Sequence, residues 1–397
     1  MSKPDNHGKR PGERVFLGSM WIVSDFGPLQ KRYDSFLATG KPRFAHLLDG
    51  LLLYDRVVLP TQDFMVLTAL IDVLGERSVL DLLNHDELRF VRLKGSFAYG
   101  GNGAGIISFR IGRRDTMEPS LPVFMETPQA LDVALGVLKH KVASAKLRDM
   151  VLENTTCIDA NDLTELAAQE TYKDIMASPH LNRLFPAGSD LIALPGIAPN
   201  AIRAYSYLPA ENNKGDLIDQ LLLLSTANLE LKLAEVAECA DATTLAPVGH
   251  LIHGKIERAL RHEVPLKQWC QIKEMDDQPD GNAYVLDRPG AERPDALSAL
   301  MKVRRTKHGI EFRRWFHEHC RGDTTQAAKA YADLLKQVPS IDRCPAKVVR
   351  FIVTAAAGLL GPLGSAIGAA DTFFVSKVLA GASPKHFLND LRQVHGK

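Results

Sequence analysis

The chain of 397 residues is poor in the features that usually announce a function. Its cysteines number five, at 157, 239, 270, 320 and 344, an odd and scattered set with no C-x-x-C pair. That excludes a disulfide framework and a thioredoxin-type motif, and it points to a reducing, cytoplasmic compartment. Charge of one sign is also missing: 48 basic against 47 acidic residues leave a formal net charge of +1. No long-range pull toward nucleic acid or acidic lipid follows, so any such binding must come from a local patch. Internal repeats, low-complexity segments, a Gly-Lys-Ser/Thr phosphate loop, a nucleophile elbow and a Ser/His/Asp order are all absent. Nothing in the pattern calls for a cofactor or a metal.

The N-terminus imitates a secretory leader without completing one. Lys3, Lys9, Arg10 and Arg14 precede VFLGSMWIV, but Ser24-Asp25-Phe26-Gly27 follows and no small-x-small cleavage site does. A buried strand over Val15 to Ser24 explains the apolar run better.

What the sequence has in quantity is helical periodicity. Hydrophobic residues at 45% and charged residues at 24% are ordinary for a globular protein. The expected fold is mostly α, with a small N-terminal α/β portion and a C-terminal helical bundle. Residues 1–13 are polar and expected to be disordered, and 14–115 form a small mixed α/β domain. Within it RVVLP, ending at Pro60, makes a second core strand, and 87–97 and 106–111 make two more around a glycine loop. Residues 129–275 form a helical middle region, with helices expected over 129–154, 161–177 and 216–240, and an irregular or short-strand passage over 191–208. The proline- and glycine-bearing stretch 276–294 is a linker. Residues 295–397 are helical.

The glycine loop Tyr99-Gly-Gly-Asn-Gly-Ala-Gly105 could cradle a phosphate, because glycine lets backbone N–H groups approach it closely. A dinucleotide site would need a helix after the loop, and a strand pattern follows instead. A hairpin turn is sufficient reason for these glycines.

The most unusual stretch is the hairpin 345–380. Its residues 351–370 carry no charge, and Gly358, Gly361, Gly364 and Gly368 recur at helical spacing. Twenty residues is the length of a bilayer span. Seven strongly apolar residues at roughly −0.5 kcal/mol each offer about −3.5 kcal/mol, and Pro362 costs an interior helix roughly 3 kcal/mol. Spanning therefore nearly breaks even, and two helices meeting at Gly361-Pro362 fit better. Ala357-x-x-x-Gly361 and Gly364-x-x-x-Gly368 provide flat faces for close contact. Asp371 follows the run and either caps the next helix or pairs with Arg350. The leading expectation is an interaction or effector protein. This hairpin would mediate its assembly with a protein partner or a second copy, or its conditional association with a membrane surface. Beyond it Ser383, Pro384, Phe387, Leu388, Leu391 and Val394 describe an amphipathic tail helix.

A second candidate is the basic helix expected over 300–321. Arg304, Arg305, Lys307 and Arg313 form an anion-binding set, while Phe312, Trp315 and Phe316 would face the core. Arg314 and His319, four residues between them, resemble the Arg-x4–6-His motif of HEPN ribonucleases, all-helical proteins many of which act in toxin and phage-defence systems. The position after Arg314 is Trp315, where that family prefers a small polar residue. The resemblance implies an alternative function: metal-independent RNA cleavage, with Arg314 and His319 catalytic and RNA as partner. His317, His319, Cys320, His250 and His253 have ligand chemistry, but residues two apart on a helix point about 200° apart and cannot share one ion.

Overall fold

The computed structural model describes residues 13–20, 40–94, 96–101, 106–112, 125–138, 144–159, 190–193, 201–205, 214–239, 241–243 and 281–319. It also describes scattered helical positions within 33–37, 163–177 and 387–394. Helices predominate among them, beside a small parallel sheet that begins at the N-terminus. Two compact units, 1–260 and 261–397, divide the chain.

The first unit is built on a five-stranded parallel sheet. Its strands are β1 (Arg14–Leu17), β2 (Arg56–Thr61), β3 (Leu88–Lys94), β6 (Thr155–Asp159) and β9 (Asp241–Thr243), in the order β6-β3-β2-β1-β9. β1 and β2 are apolar and buried after their first arginine up to Thr61, as strands covered on both faces must be, while the inner strand β3 carries Arg89, Arg92 and Lys94 among its buried apolar residues. In register, Val15 lies beside Val57, Val57 beside Leu88 and Val91 beside Thr156. β1 is shorter than the apolar run suggests, since Gly18–Met20 turns into a 3-10 helix. Because β6 and β9 come from beyond residue 115, the sheet is not confined to the first 115 residues.

Helices α1 (Gly40–Leu53), α2 (Met65–Leu74) and α3 (Glu76–Asn84) fill the crossovers between these strands. A methyl added to Gly50 on α1 would lie 3.3 Å from Val57 Cγ2, so α1 sits tightly on β2. The helix expected over 129–154 is two helices, α4 (Thr127–Gly136) and α5 (Ala145–Glu153). Ser144 starts the second by accepting the Leu147 N–H at 3.2 Å, a local cap that competes with continuing the helix. α6 (Lys214–Val236) is the long helix anticipated from its leucines.

A second sheet is antiparallel. It holds β4 (Ser96–Gly101), β5 (Ile106–Gly112), β7 (Asp190–Ala193) and β8 (Ala201–Tyr205) in the order β4-β5-β8-β7. Tyr99, Gly100 and Gly101 are in β4, opposite Phe109, Ser108 and Ile107. The first three residues of the glycine loop are thus strand, its residues 102–105 lie outside the described residues, and the passage near 191–208 supplies two strands.

In the second unit α7 (Gly281–Leu286), within the stretch expected as linker, precedes α8 (Arg293–Arg304) and α9 (Lys307–His319). The single basic helix of the sequence is broken at Arg305-Thr306. Thr306 donates its hydroxyl to Val303 O at 2.7 Å and accepts Gly309 N–H at 3.2 Å, closing one helix and opening the other. Phe312, Trp315 and Phe316 are buried, as their spacing indicated, and Phe387 and Leu391 of the tail are buried too. Among the described residues no helix is long and apolar enough to cross a membrane.

Candidate functional site

Of the residues singled out in the sequence, Ala357, Gly358, Gly361, Gly364, Gly368 and Asp371 lie outside the described residues. The basic set is placed, and its charges diverge. Arg304 and Arg313 are only 3% and 6% exposed. Arg313 donates from Nη1 to Arg304 O at 2.9 Å, at the carbonyl end of α8, and to Gly309 O at 3.3 Å, in the first turn of its own helix. A cation at the end of α8 suits the helix dipole and covers a terminal carbonyl. Arg305 is half-buried, and Lys307 is exposed with Glu311 3.6 Å away. Of the four, Arg305 and Lys307 reach the surface, whereas Arg304 and Arg313 are buried.

Arg314 is exposed on α9, and His319 is the last residue of that helix. Five residues along a regular helix turn about 500°, which leaves the two positions about 140° apart around the axis.

A polar cluster that the sequence reading missed lies at the carboxyl end of the parallel sheet. β1 neighbours β2 on one side and β9 on the other. Chain direction across the sheet therefore reverses there, at Leu17 and Thr243, the position where open parallel sheets form ligand crevices. Next to it, β2 ends in Thr61-Gln62-Asp63, all buried. Thr61 Oγ1 accepts Phe64 N–H at 2.8 Å and Asp63 Oδ1 accepts Met65 N–H at 3.1 Å. These bonds hold Phe64 at φ 58°, ψ 15°, a left-handed conformation unusual for a bulky side chain.

Arg92 of β3 is the centre of this cluster and has no solvent exposure. It donates to Gln62 O at 3.1 Å, Met125 O at 2.8 Å and Thr127 Oγ1 at 3.1 Å, tying the end of β2 to the start of α4. Its Cζ lies 5.9 Å from the Phe64 ring centroid, and Phe64 meets Phe90 edge-on at 6.2 Å. Burial holds the Arg92 guanidinium below its usual pKa, opposed by nearby Cys157, Glu126 and Asp63. The one signal that could have found it is an arginine inside LRFVRLK, an otherwise core-like strand.

Cys157, opposite Arg92 in register, is exposed, whereas Cys239 is half-buried and burial pushes its thiol up to about 12. Ellman's reagent should therefore label Cys157 faster than Cys239 in the folded protein, with the gap closing once denaturant is added. Peptide mass spectrometry reads both, and equal rates would contradict the burial. No protein-family model matches the chain, and no curated protein or solved structure is significantly similar to it.

Proposed function

We propose that the chain is a cytoplasmic interaction or effector protein that works by assembly through its C-terminal region, with membrane association as a conditional state. The observation that carries this reading is the uncharged run 351–370 with Gly358, Gly361, Gly364 and Gly368 at helical spacing. A surface of that kind gains by close van der Waals contact with another helix, and it gains nothing from water.

Gly364→Leu combined with Gly368→Leu tests it. The expected result is a smaller assembly by light scattering and weaker partitioning onto liposomes. If both measurements match those of the unmodified protein, assembly through this face is ruled out.

The alternative, a metal-independent ribonuclease using Arg314 and His319, draws on the exposure of Arg314. It predicts RNA cleavage in EDTA that disappears in His319→Ala. Equal cleavage by that variant, or none by the unmodified protein, removes it.

A further inference from the structure

Register sorts the residues of the antiparallel sheet onto two unlike faces. Successive residues of a strand alternate between faces, and residues opposite one another across strands share a face. Tyr99, Phe109, Ile202 and Ala193 lie in one row, and Gly101, Ile107, Ala204 and Leu191 in another row of the same face. No charged residue of the four strands belongs to that face. Their charged residues, Arg110, Arg203 and Asp190, all fall on the other.

Arg110 of β5 is opposite Ala98 on β4 and Ala201 on β8, whereas Arg203 of β8 is opposite Ser108 on β5. The two arginines are therefore diagonal neighbours on the central strands, positions about 7–8 Å apart that long side chains bridge. Around Arg110 the same face holds Ala98, Gly100, Ser108 and Ala201, residues without the bulk to fill the space between two arginines. Like charges at neighbouring sheet positions repel. Asp190, opposite Tyr205, is diagonal to Arg203 from the edge strand β7, and it lies across β8 from Arg110.

We infer that this face is a binding site for a phosphate monoester dianion on a small molecule, held between Arg110 and Arg203. A phosphate group carries a charge of about −1.5 to −2 at pH 7, which two guanidinium groups match. Arginine presents its donors in a planar fork that fits phosphate oxygens. Single-stranded nucleic acid fits less well, because its bases stack on aromatic rings along a basic groove. Three of the four aromatic residues in this sheet, Phe97, Tyr99 and Phe109, belong to the opposite face. The site is independent of the assembly proposed through 351–370.

Isothermal titration calorimetry of the full chain tests it, in a buffer free of phosphate, with inorganic phosphate and phosphoserine as probes. Both should bind, and Arg110→Gln and Arg203→Gln should each weaken binding by on the order of tenfold. Arg110→Lys keeps the charge without the fork and should fall between, which preserves the test if circular dichroism shows a glutamine variant misfolded. Arg148→Gln, in the exposed pair with Asp132, should bind as the unmodified protein does. Phosphoserine should bind more weakly at pH 5, where its phosphate takes up a second proton while the arginines stay charged. No binding of either probe by the unmodified protein, or equal affinity in both glutamine variants, overturns the site. Tighter, arginine-dependent binding of a single-stranded RNA oligonucleotide or of phosphatidic acid vesicles overturns the small-molecule assignment.

Discussion

Arg92→Met should lower the stability of the N-terminal unit by about 3 kcal/mol, seen as a lower denaturant midpoint at unchanged slope. Two effects compete. Removing a buried guanidinium relieves its desolvation, which can be stabilising where an apolar group fills the space. Against this, the carbonyls of Gln62 and Met125 and the Thr127 hydroxyl lose the donor they share. The buried Gln62 carbonyl left without a donor costs about 1–3 kcal/mol, and the half-buried Met125 and Thr127 acceptors add a smaller share, so the loss outweighs the relief. Arg92→Lys should recover only part of the difference, because a lysine offers a point charge where three acceptors are spread around a planar fork. A midpoint change equivalent to less than about 1 kcal/mol for Arg92→Met would show that these bonds do not hold the sheet to α4.

The second large effect concerns Gly309→Ala. Glycine to alanine inside a helix usually stabilises by roughly 0.5–1 kcal/mol, since alanine loses less backbone entropy. Here the sign reverses. A Cβ on Gly309 would lie 2.2 Å from Arg304 O and 2.7 Å from Val303 O, backbone atoms that cannot swing aside as a side chain would. Relieving that clash means prising α9 from the end of α8, which also stretches the Arg313 bond to Arg304 O. A cost of about 3 kcal/mol follows, at the upper end of overpacking. It should appear as loss of the near-ultraviolet signal around Trp315 at a lower temperature. Gly136→Ala is the control, because nothing lies within 4 Å of its added methyl. Should the two substitutions behave alike, the close corner between α8 and α9 is not what the geometry says.

Much of the local structure was legible from the chain. The runs VFL and RVVLP announce buried strands because parallel strands covered on both faces cannot alternate with polar residues. The leucine spacing of α6 and the aromatic stripe Phe312, Trp315, Phe316 identify core faces by the helical period. Two long helices were over-read. The periodicity across 129–154 and 300–321 is real, yet Ser144 and Thr306 are caps that stop and restart the backbone within it. A window scan sees the average and misses the single hydroxyl.

Pairing partners were not legible. β9 joins β1 across more than two hundred residues, and no local pattern encodes which strand will find which. Arg304 and Arg313 show the same limit at one residue's scale. Counted along the chain they are two charges on a basic face; in the structure they are buried, with Arg313 on the carbonyl end of α8.

The sequence by itself determined the helical and strand character, the even charge, and the glycine spacing over 351–370 on which the proposed assembly depends. These follow from side-chain size, charge and period, which each residue carries wherever it goes. Only the tertiary structure decided the strand order, the bonds around Arg92 and which arginines face inward. Those depend on which distant carbonyl lies within about 3 Å of a donor, a distance set by the packing of the whole unit.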